Sequence, residues 1–306
     1  MKYMQMLLSR SQSRKGIKMK TKMKTKMKTS KASFCVAPNN LLNALMLTAL
    51  AMPGAAMAED AETTKHKEGI HVIPASAHTV TANVGFTTDY IFRGISQTSA
   101  NPAVQGGIDY AHASGLYAGV WGSNVSWISD FNAGVSSSLE LDTYFGFRNS
   151  LADDFSYDIG FIRYNYPASN YPAGVTKADT DEFYGAFGYK WITAKYSYGL
   201  GQFLTVPGAS GTNYIEVNAS VPLGDTGITL GAHAGKQTYK GAVADAYALA
   251  GTSATYRDYK LSIAKDINGY VFSLAASDTD ASGFYTTPAG KDLGRSTVVL
   301  SVTHAF

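Results

Sequence analysis

The sequence predicts a transmembrane antiparallel up-and-down β-barrel of about twelve strands behind a cleavable signal peptide. Three observations carry this reading. A basic and then apolar segment opens the chain, apolar and polar residues alternate with period two along the rest, and the joins between alternating segments are by turns long and short.

The first 58 residues hold eleven Lys or Arg, no acid, all nine Met and the single Cys35. Their apolar stretch from Leu41 to Met52 is followed by Pro53, Gly54 and the small-residue run Ala56, Met57, Ala58, the layout of an export signal cut after Ala58. The apolar stretch is shorter than the ~20 residues a spanning helix needs, which argues against a membrane anchor. Lys-Met-Lys-Thr repeats around Met19, Met23 and Met27 lengthen the basic region and point to a translation start further along the chain. The predicted organisation is thus 1–58 signal peptide, 59–78 flexible periplasmic segment and 79–306 barrel. The formal net charge of +3 belongs to the signal: the remaining 15 basic and 23 acidic residues give −8, so nucleic acid is not an expected partner.

The mature part has no Cys, which excludes a disulfide scaffold, a thiolate metal site and a Cys nucleophile. From Thr79, one face of the first strand carries Val80, Ala82, Val84, Phe86, Tyr90 and Phe92, the other Thr81, Asn83, Asp89 and Arg93. Next, Val104, Ile108 and Tyr110 oppose Gln105 and Asp109; Leu116, Ala118 and Val120 oppose Tyr117 and Trp121. Leu139, Leu141, Phe145 and Phe147 oppose Glu140, Asp142 and Arg148, and Phe155, Tyr157, Ile159 and Phe161 oppose Asp158. Phe183, Phe187, Tyr189 and Trp191 oppose Glu182, Tyr184 and Lys190; Ala194, Tyr196 and Tyr198 alternate with Lys195. Ile215, Val217 and Ala219 oppose Glu216; Ile228, Leu230 and Ala232 oppose His233; Tyr259, Leu261 and Ile263 oppose Asp258 and Lys260. Tyr270, Phe272 and Leu274 oppose Ser273, and Val298, Leu300, Val302 and Phe306 oppose Ser301. Each segment runs to roughly ten residues, the length of a tilted strand crossing a bilayer.

The long joins are 94–102, 126–136, 165–180, 205–211, 236–254 and 278–294, and the short ones 111–115, 149–153, 191–192, 224–227 and 266–269. Strict alternation is what outer loops and periplasmic turns produce, and a soluble sandwich has no cause to sort its loops so. Both termini then lie on the periplasmic side, with Tyr110, Phe147, Phe155, Tyr157, Tyr189, Trp191, Tyr270 and Phe306 as an aromatic girdle. The last strand, ending at Phe306, closes on the first, because unpaired edge groups in hydrocarbon cost several kcal/mol each.

The segments GFTTDYIFRGISQT (85–98) and NPAVQGGIDYAHASGLYAGVWGSNV (101–125) resemble the opening blocks of the TorF porin family of proteobacterial outer-membrane proteins. TAKYSYG (193–199), YIEVNASVPLG (214–224) and GAHAG (231–235) extend the resemblance over nearly all of the mature chain, whereas His304 stands where that class of protein often has an aromatic. The resemblance implies an outer-membrane barrel with channel activity and names no substrate.

The residues expected to line a pore are Asp89, Arg93, Asp109, Glu140, Asp142, Arg148, Asp158, Glu182, Lys190, Lys195, Glu216, His233, Asp258 and Lys260. By depth, Asp89, Glu140, Asp142, Glu182, Glu216 and Asp258 fall toward the outside and Arg148, Lys190 and Lys195 toward the periplasm, an acidic vestibule that favours cations. Trp121, Tyr117 and Tyr184 face inward, either as a stacking path for sugars or as packing. Asp278 and Asp280 begin a calcium-loop pattern that Ala289 breaks at the position of the bidentate Glu, and His233 is the one histidine on a predicted inner face. No catalytic residue, metal or cofactor is predicted. The first reading is a passive channel for small hydrophilic solutes; the second is a non-conducting surface-interaction barrel; the third is an outer-membrane hydrolase using His233. Expected partners are outer-membrane lipid, small solutes and the barrel assembly machinery, which would read the strand ending at Phe306.

Overall fold

The computed structural model describes residues 76–306, apart from 133, 153, 168, 169, 252, 282 and 284. The expected signal peptide and most of the segment after it lie outside the described residues. In chain order come β1 (His78–Thr87), the short pair β2 (Ile91–Phe92) and β3 (Ile95–Ser96), β4 (Ala103–His112), β5 (Leu116–Asn124) and α1 (Trp127–Phe131). There follow β6 (Leu139–Ala152), β7 (Phe155–Asn165), β8 (Thr180–Tyr189), β9 (Ile192–Gly199), β10 (Asn213–Pro222), β11 (Ile228–Thr238), α2 (Ala242–Leu249), β12 (Tyr256–Ile267), β13 (Tyr270–Thr279) and β14 (Thr297–Ala305).

Among the described residues twelve of these strands form one closed antiparallel barrel, each paired with its neighbour in sequence, and β2 and β3 make a separate hairpin. Closure runs through β1 and β14, with Asn83 opposite Ala305 and Thr87 opposite Ser301. Beyond the last pair Phe306 N donates to Ala82 O at 2.8 Å. The long connections 88–102, 125–138, 166–179, 200–212, 239–255 and 280–296 share one end, and the short turns the other. One of these turns is Asn268-Gly269, with φ of 54° and 82°: two residues in the left-handed region let a hairpin keep the twist of its strands.

The predicted outward residues are the exposed ones. Val80, Ile108, Phe145, Leu261 and Val298 show between 59% and 68% of their surface, whereas Glu140, Asp142 and Glu182 on the opposite face are buried. An exposed belt of this composition is stable only against lipid. Leu261 stands midway along β12, so Leu261→Arg is expected to lower stability by about 2–4 kcal/mol if that point lies at the bilayer midplane. Urea unfolding in lipid vesicles measures it, with Ser262→Arg on the inner face as the milder control. At the short-turn end the girdle residues pair off: Phe155 and Tyr189 rings lie 4.6 Å apart, and His304 stacks on Tyr270 at 4.4 Å.

Two expectations are corrected. The first strand does not run on to Arg93: β1 ends at Thr87 and the chain turns into the barrel, so Tyr90 is buried inside and Phe92 packs there, off the lipid face. The cause is local. Asp89 Oδ1 accepts from Ser96 Oγ at 2.6 Å and Thr98 Oγ1 at 3.1 Å, and Gln97 N donates to Tyr90 O at 2.7 Å, so the segment satisfies itself as a hairpin. Lys190, expected on the pore wall, occupies the turn after β8 at φ 51°, exposed, with its ammonium 3.5 Å from Asp154. Extending the period one residue past the strand end misplaced it.

Candidate functional site

The lumen is filled on one side. Tyr117 and Tyr144 stand on neighbouring strands β5 and β6, and each lies directly opposite a glycine, Gly146 and Gly119. The same pairing recurs where Tyr184 faces Gly160 across β7 and β8. A tyrosine folded over a cross-strand glycine covers bare backbone with ring, and the glycine is required: a Cβ on Gly119 would stand 2.4 Å from Tyr144 Oη. Polar groups tie the rings together. Tyr117 Oη donates to Asp158 Oδ1 at 2.5 Å and meets Tyr184 Oη at 2.5 Å, while Tyr144 Oη donates to Asp109 Oδ1 at 2.5 Å. The Arg148 guanidinium lies 3.8 Å from the Tyr117 ring centre and the Lys195 ammonium 4.0 Å from that of Tyr184. Asp109, Arg148, Asp158 and Lys195 thus belong to one packed cluster, and of the rings considered for a stacking path, Tyr117 and Tyr184 lie within it.

The long-loop end is stoppered by the connection 88–102. At its tip, Arg93 reaches across the lumen and makes a two-pronged contact with Glu182 on β8, Nη1 to Oε1 at 2.9 Å and Nη2 to Oε2 at 2.7 Å. A third bond runs from Nη1 to Gln237 Oε1 on β11 at 2.9 Å, and the guanidinium sits 4.4 Å from the Tyr214 ring centre. The two charged side chains are 7% and 1% exposed. Gly94 follows at φ 77°, with the space for its Cβ already taken by Asp258 Cβ at 2.5 Å, so the tip rests against β12. Tyr90 Oη donates to Glu140 Oε1 at 3.3 Å, and an apolar mass including Ile95, Trp127, Ile128, Phe203, Tyr256 and Leu293 packs around the hairpin. Glu140 Oε2, Asp142 Oδ1 and Asp89 Oδ2 are buried with no hydrogen-bond partner among the described residues.

The other side is open. Along β10 to β14 small or hydroxylated inward residues such as Ser220, Thr229, Ser262 and Ser277, with Asn218, His233 and Lys260, line a cavity of about 80 Å³ together with Thr87, Asp89, Tyr90 and Gln105. Glu216, His233 and Asp258 form a network at its edge. His233 Nε2 is 2.8 Å from Asp258 Oδ1, its Nδ1 is 2.7 Å from Asn218 Oδ1, and Asn218 Nδ2 donates to Glu216 Oε2 at 2.9 Å. Tyr214 Oη donates to Asp258 Oδ2 at 2.9 Å. Both ring nitrogens of His233 are therefore engaged by groups other than a serine, and no nucleophile–base pair of the hydrolase kind is assembled there. Asp278 and Asp280, the start of the calcium-like pattern, bond instead to Ser296 and Arg257.

Of the residues expected to face a pore, Asp89, Arg93, Glu140, Asp142, Glu182, Glu216, His233, Asp258 and Lys260 gather in the long-loop half and around the cavity. Tyr90, Tyr214 and Gln237 were not anticipated there. Tyr214 and Gln237 share the inward parity of Glu216 and His233, so the alternation held the signal.

No curated protein matches the chain. Among solved structures it is similar to a KdgM porin, at 7% identity over 74% of this chain and 99% of that one, with a TM-score of 0.45. It is also similar to OccD3 (OpdP) of Pseudomonas aeruginosa, at 14% identity over 76% of this chain and 65% of that one, with a TM-score of 0.36. The family model that matches is not named for TorF. It is described as bacterial protein of unknown function (Gcw_chp) and matches residues 71–306, the whole barrel and the few residues before it, so the chain belongs to the Gcw_chp family.

Proposed function

We propose that the protein is an outer-membrane channel for passive diffusion of small hydrophilic solutes, with a mild preference for cations. The observation that carries this is the asymmetry of the lumen: tyrosines and their charged partners fill the β5 to β9 side, while the β10 to β14 side keeps a cavity lined by small, hydroxylated and a few charged residues. The preference for cations follows from charge. Asp89, Asp109, Glu140, Asp142, Asp158, Glu182, Glu216 and Asp258 outnumber Arg93, Arg148, Lys195 and Lys260 on the inward side, and a low-dielectric wall concentrates counterions. In this reading the long loops face outward and the short turns the periplasm, and assembly machinery reads β14 with its exposed terminal Phe306. The pure folded barrel in planar bilayers should show discrete conductance steps, and a potassium chloride gradient should give a reversal potential of the sign expected for potassium. Absence of steps from folded protein would sink the channel, and the opposite sign would sink the cation preference.

One observation favours the second reading, a non-conducting barrel that acts through its loops: the hairpin anchored by Arg93 and Glu182 stands across the long-loop end. Shortening the connection 239–255, whose helix α2 has no buried residue, separates the two. Conductance that survives while adhesion to a surface partner is lost would favour loop-mediated binding.

A further inference from the structure

The cavity beside β10 to β14 holds two charged groups of opposite sign with unused capacity. Asp89 is buried, and its Oδ2 has no hydrogen-bond partner among the described residues, while Oδ1 already accepts from two hydroxyls and Arg295 attracts the carboxylate without bonding to it. Lys260, partly buried on β12, lines the same cavity; its ammonium is attracted by Glu216 and Asp258 but makes no side-chain hydrogen bond or close ion pair among the described residues. The carboxylates nearest it in the network are already engaged, Asp258 by Tyr214 and His233 and Glu216 by Asn218. A third group, Ser220 Oγ, is buried on the cavity wall without a partner. Leaving such groups unsolvated is costly, so whatever occupies the cavity must both donate and accept.

We propose that this cavity is a binding site for a small uncharged polyhydroxylated solute, a monosaccharide or polyol, held between Asp89 and Lys260. This rests on the channel reading and names its solute class. An anion drawn to Lys260 meets Asp89, Asp258 and Glu216, and a cation drawn to the carboxylates meets Lys260. A hydroxyl meets no such conflict, because it donates to Asp89 Oδ2 and accepts from the ammonium. Between the two poles the wall offers Ser220, Thr229, Ser262 and Ser277, each able to do both, with Ala264 and Ala275 supplying apolar contact for C–H groups. At roughly 10–15 Å³ of centre volume per water, the space equals about five to eight waters, the scale of one small sugar with its hydroxyls. Burial pushes the Asp89 carboxyl up despite its hydroxyl donors.

The test is D-glucose titrated onto the detergent-folded full barrel, by calorimetry and by tryptophan fluorescence, since Trp121 packs edge-on against Tyr90 at the cavity. Saturable binding is expected, weakened on the order of tenfold in Lys260→Met by loss of a charged hydrogen bond. Lys265→Met, which alters an exposed lysine bonded to the Thr226 carbonyl, should leave it unchanged. If Lys260→Met does not fold, Ser262→Val probes the same wall. No glucose binding, or binding indifferent to both cavity variants, overturns the site. Tighter binding of glycine or sodium gluconate than of glucose overturns the solute class. Because binding is read without current, glucose binding by a barrel that shows no conductance would leave the site standing and remove the channel. Conductance without glucose binding would do the reverse.

Discussion

Replacing Arg93 by Met is expected to raise conductance several-fold and expose the connection 88–102 to protease. The substitution strips a buried carboxylate, Glu182, of its two-pronged partner, while the weaker contact from the Tyr164 hydroxyl at 3.3 Å remains. Removing one member of a desolvated ion pair typically costs about 3–5 kcal/mol, because the remaining charge stays buried. The barrel wall cannot relieve that cost without breaking strand pairing, but the hairpin can: withdrawn from the lumen, it readmits water to Glu182. Opening is thus the cheaper response. The double variant Arg93→Met, Glu182→Met separates this from simple damage. With both charges gone the side chain at position 93 has apolar neighbours in Phe92 and Phe203, and replacing a buried pair by hydrophobic residues is often neutral or stabilising. It should remain protease-resistant with wild-type conductance. Equal conductance in the wild type and the single variant would show that the hairpin is not the barrier, and the proteolysis arm is read even from a barrel that passes no current.

The second large effect is expected at Gly119. An alanine there places a Cβ 2.4–2.5 Å from the hydroxyl oxygen and two ring carbons of Tyr144, and that side chain is held at its far end by Asp109. Overpacking of this kind costs about 1–3 kcal/mol, and a valine should cost more. The neighbour is a side chain, so the loss should vanish in a Tyr144→Ala background, with a coupling of about 0.5–3 kcal/mol in a double-mutant cycle. Gly185→Ala, at a position with nothing within 4 Å, is the matched control and should be nearly silent. Urea titrations of the wild type and of each refolded variant measure these effects. A Gly119→Ala cost that persists without the Tyr144 ring would place the cause in the backbone.

How much of this was legible in sequence can be judged at particular residues. Val80 to Phe86 and Tyr259 to Ile263 show their faces through spacing alone, and both are where the alternation puts them. Lys190 failed because alternation has no meaning past the end of a strand, and the end is set by a turn residue with positive φ. Tyr90 failed because a tyrosine at an outward position looks the same whether its strand continues or folds back. What distinguishes the cases is the bonding of Asp89 to Ser96 and Thr98, residues that become neighbours only in the hairpin.

The wall of this protein was therefore determined by its sequence: a closed barrel of alternating faces, long loops at one end and short turns at the other. Period two is a property of the backbone at each strand, and it is readable one strand at a time. What fills the wall was decided only by tertiary structure. Tyr144 covers Gly119 because of the register between two strands, and Arg93 finds Glu182 across 89 residues and Gln237 across 144. Those contacts exist only once closure brings distant strands around one axis, and they decide which half of the lumen is packed and which keeps a cavity.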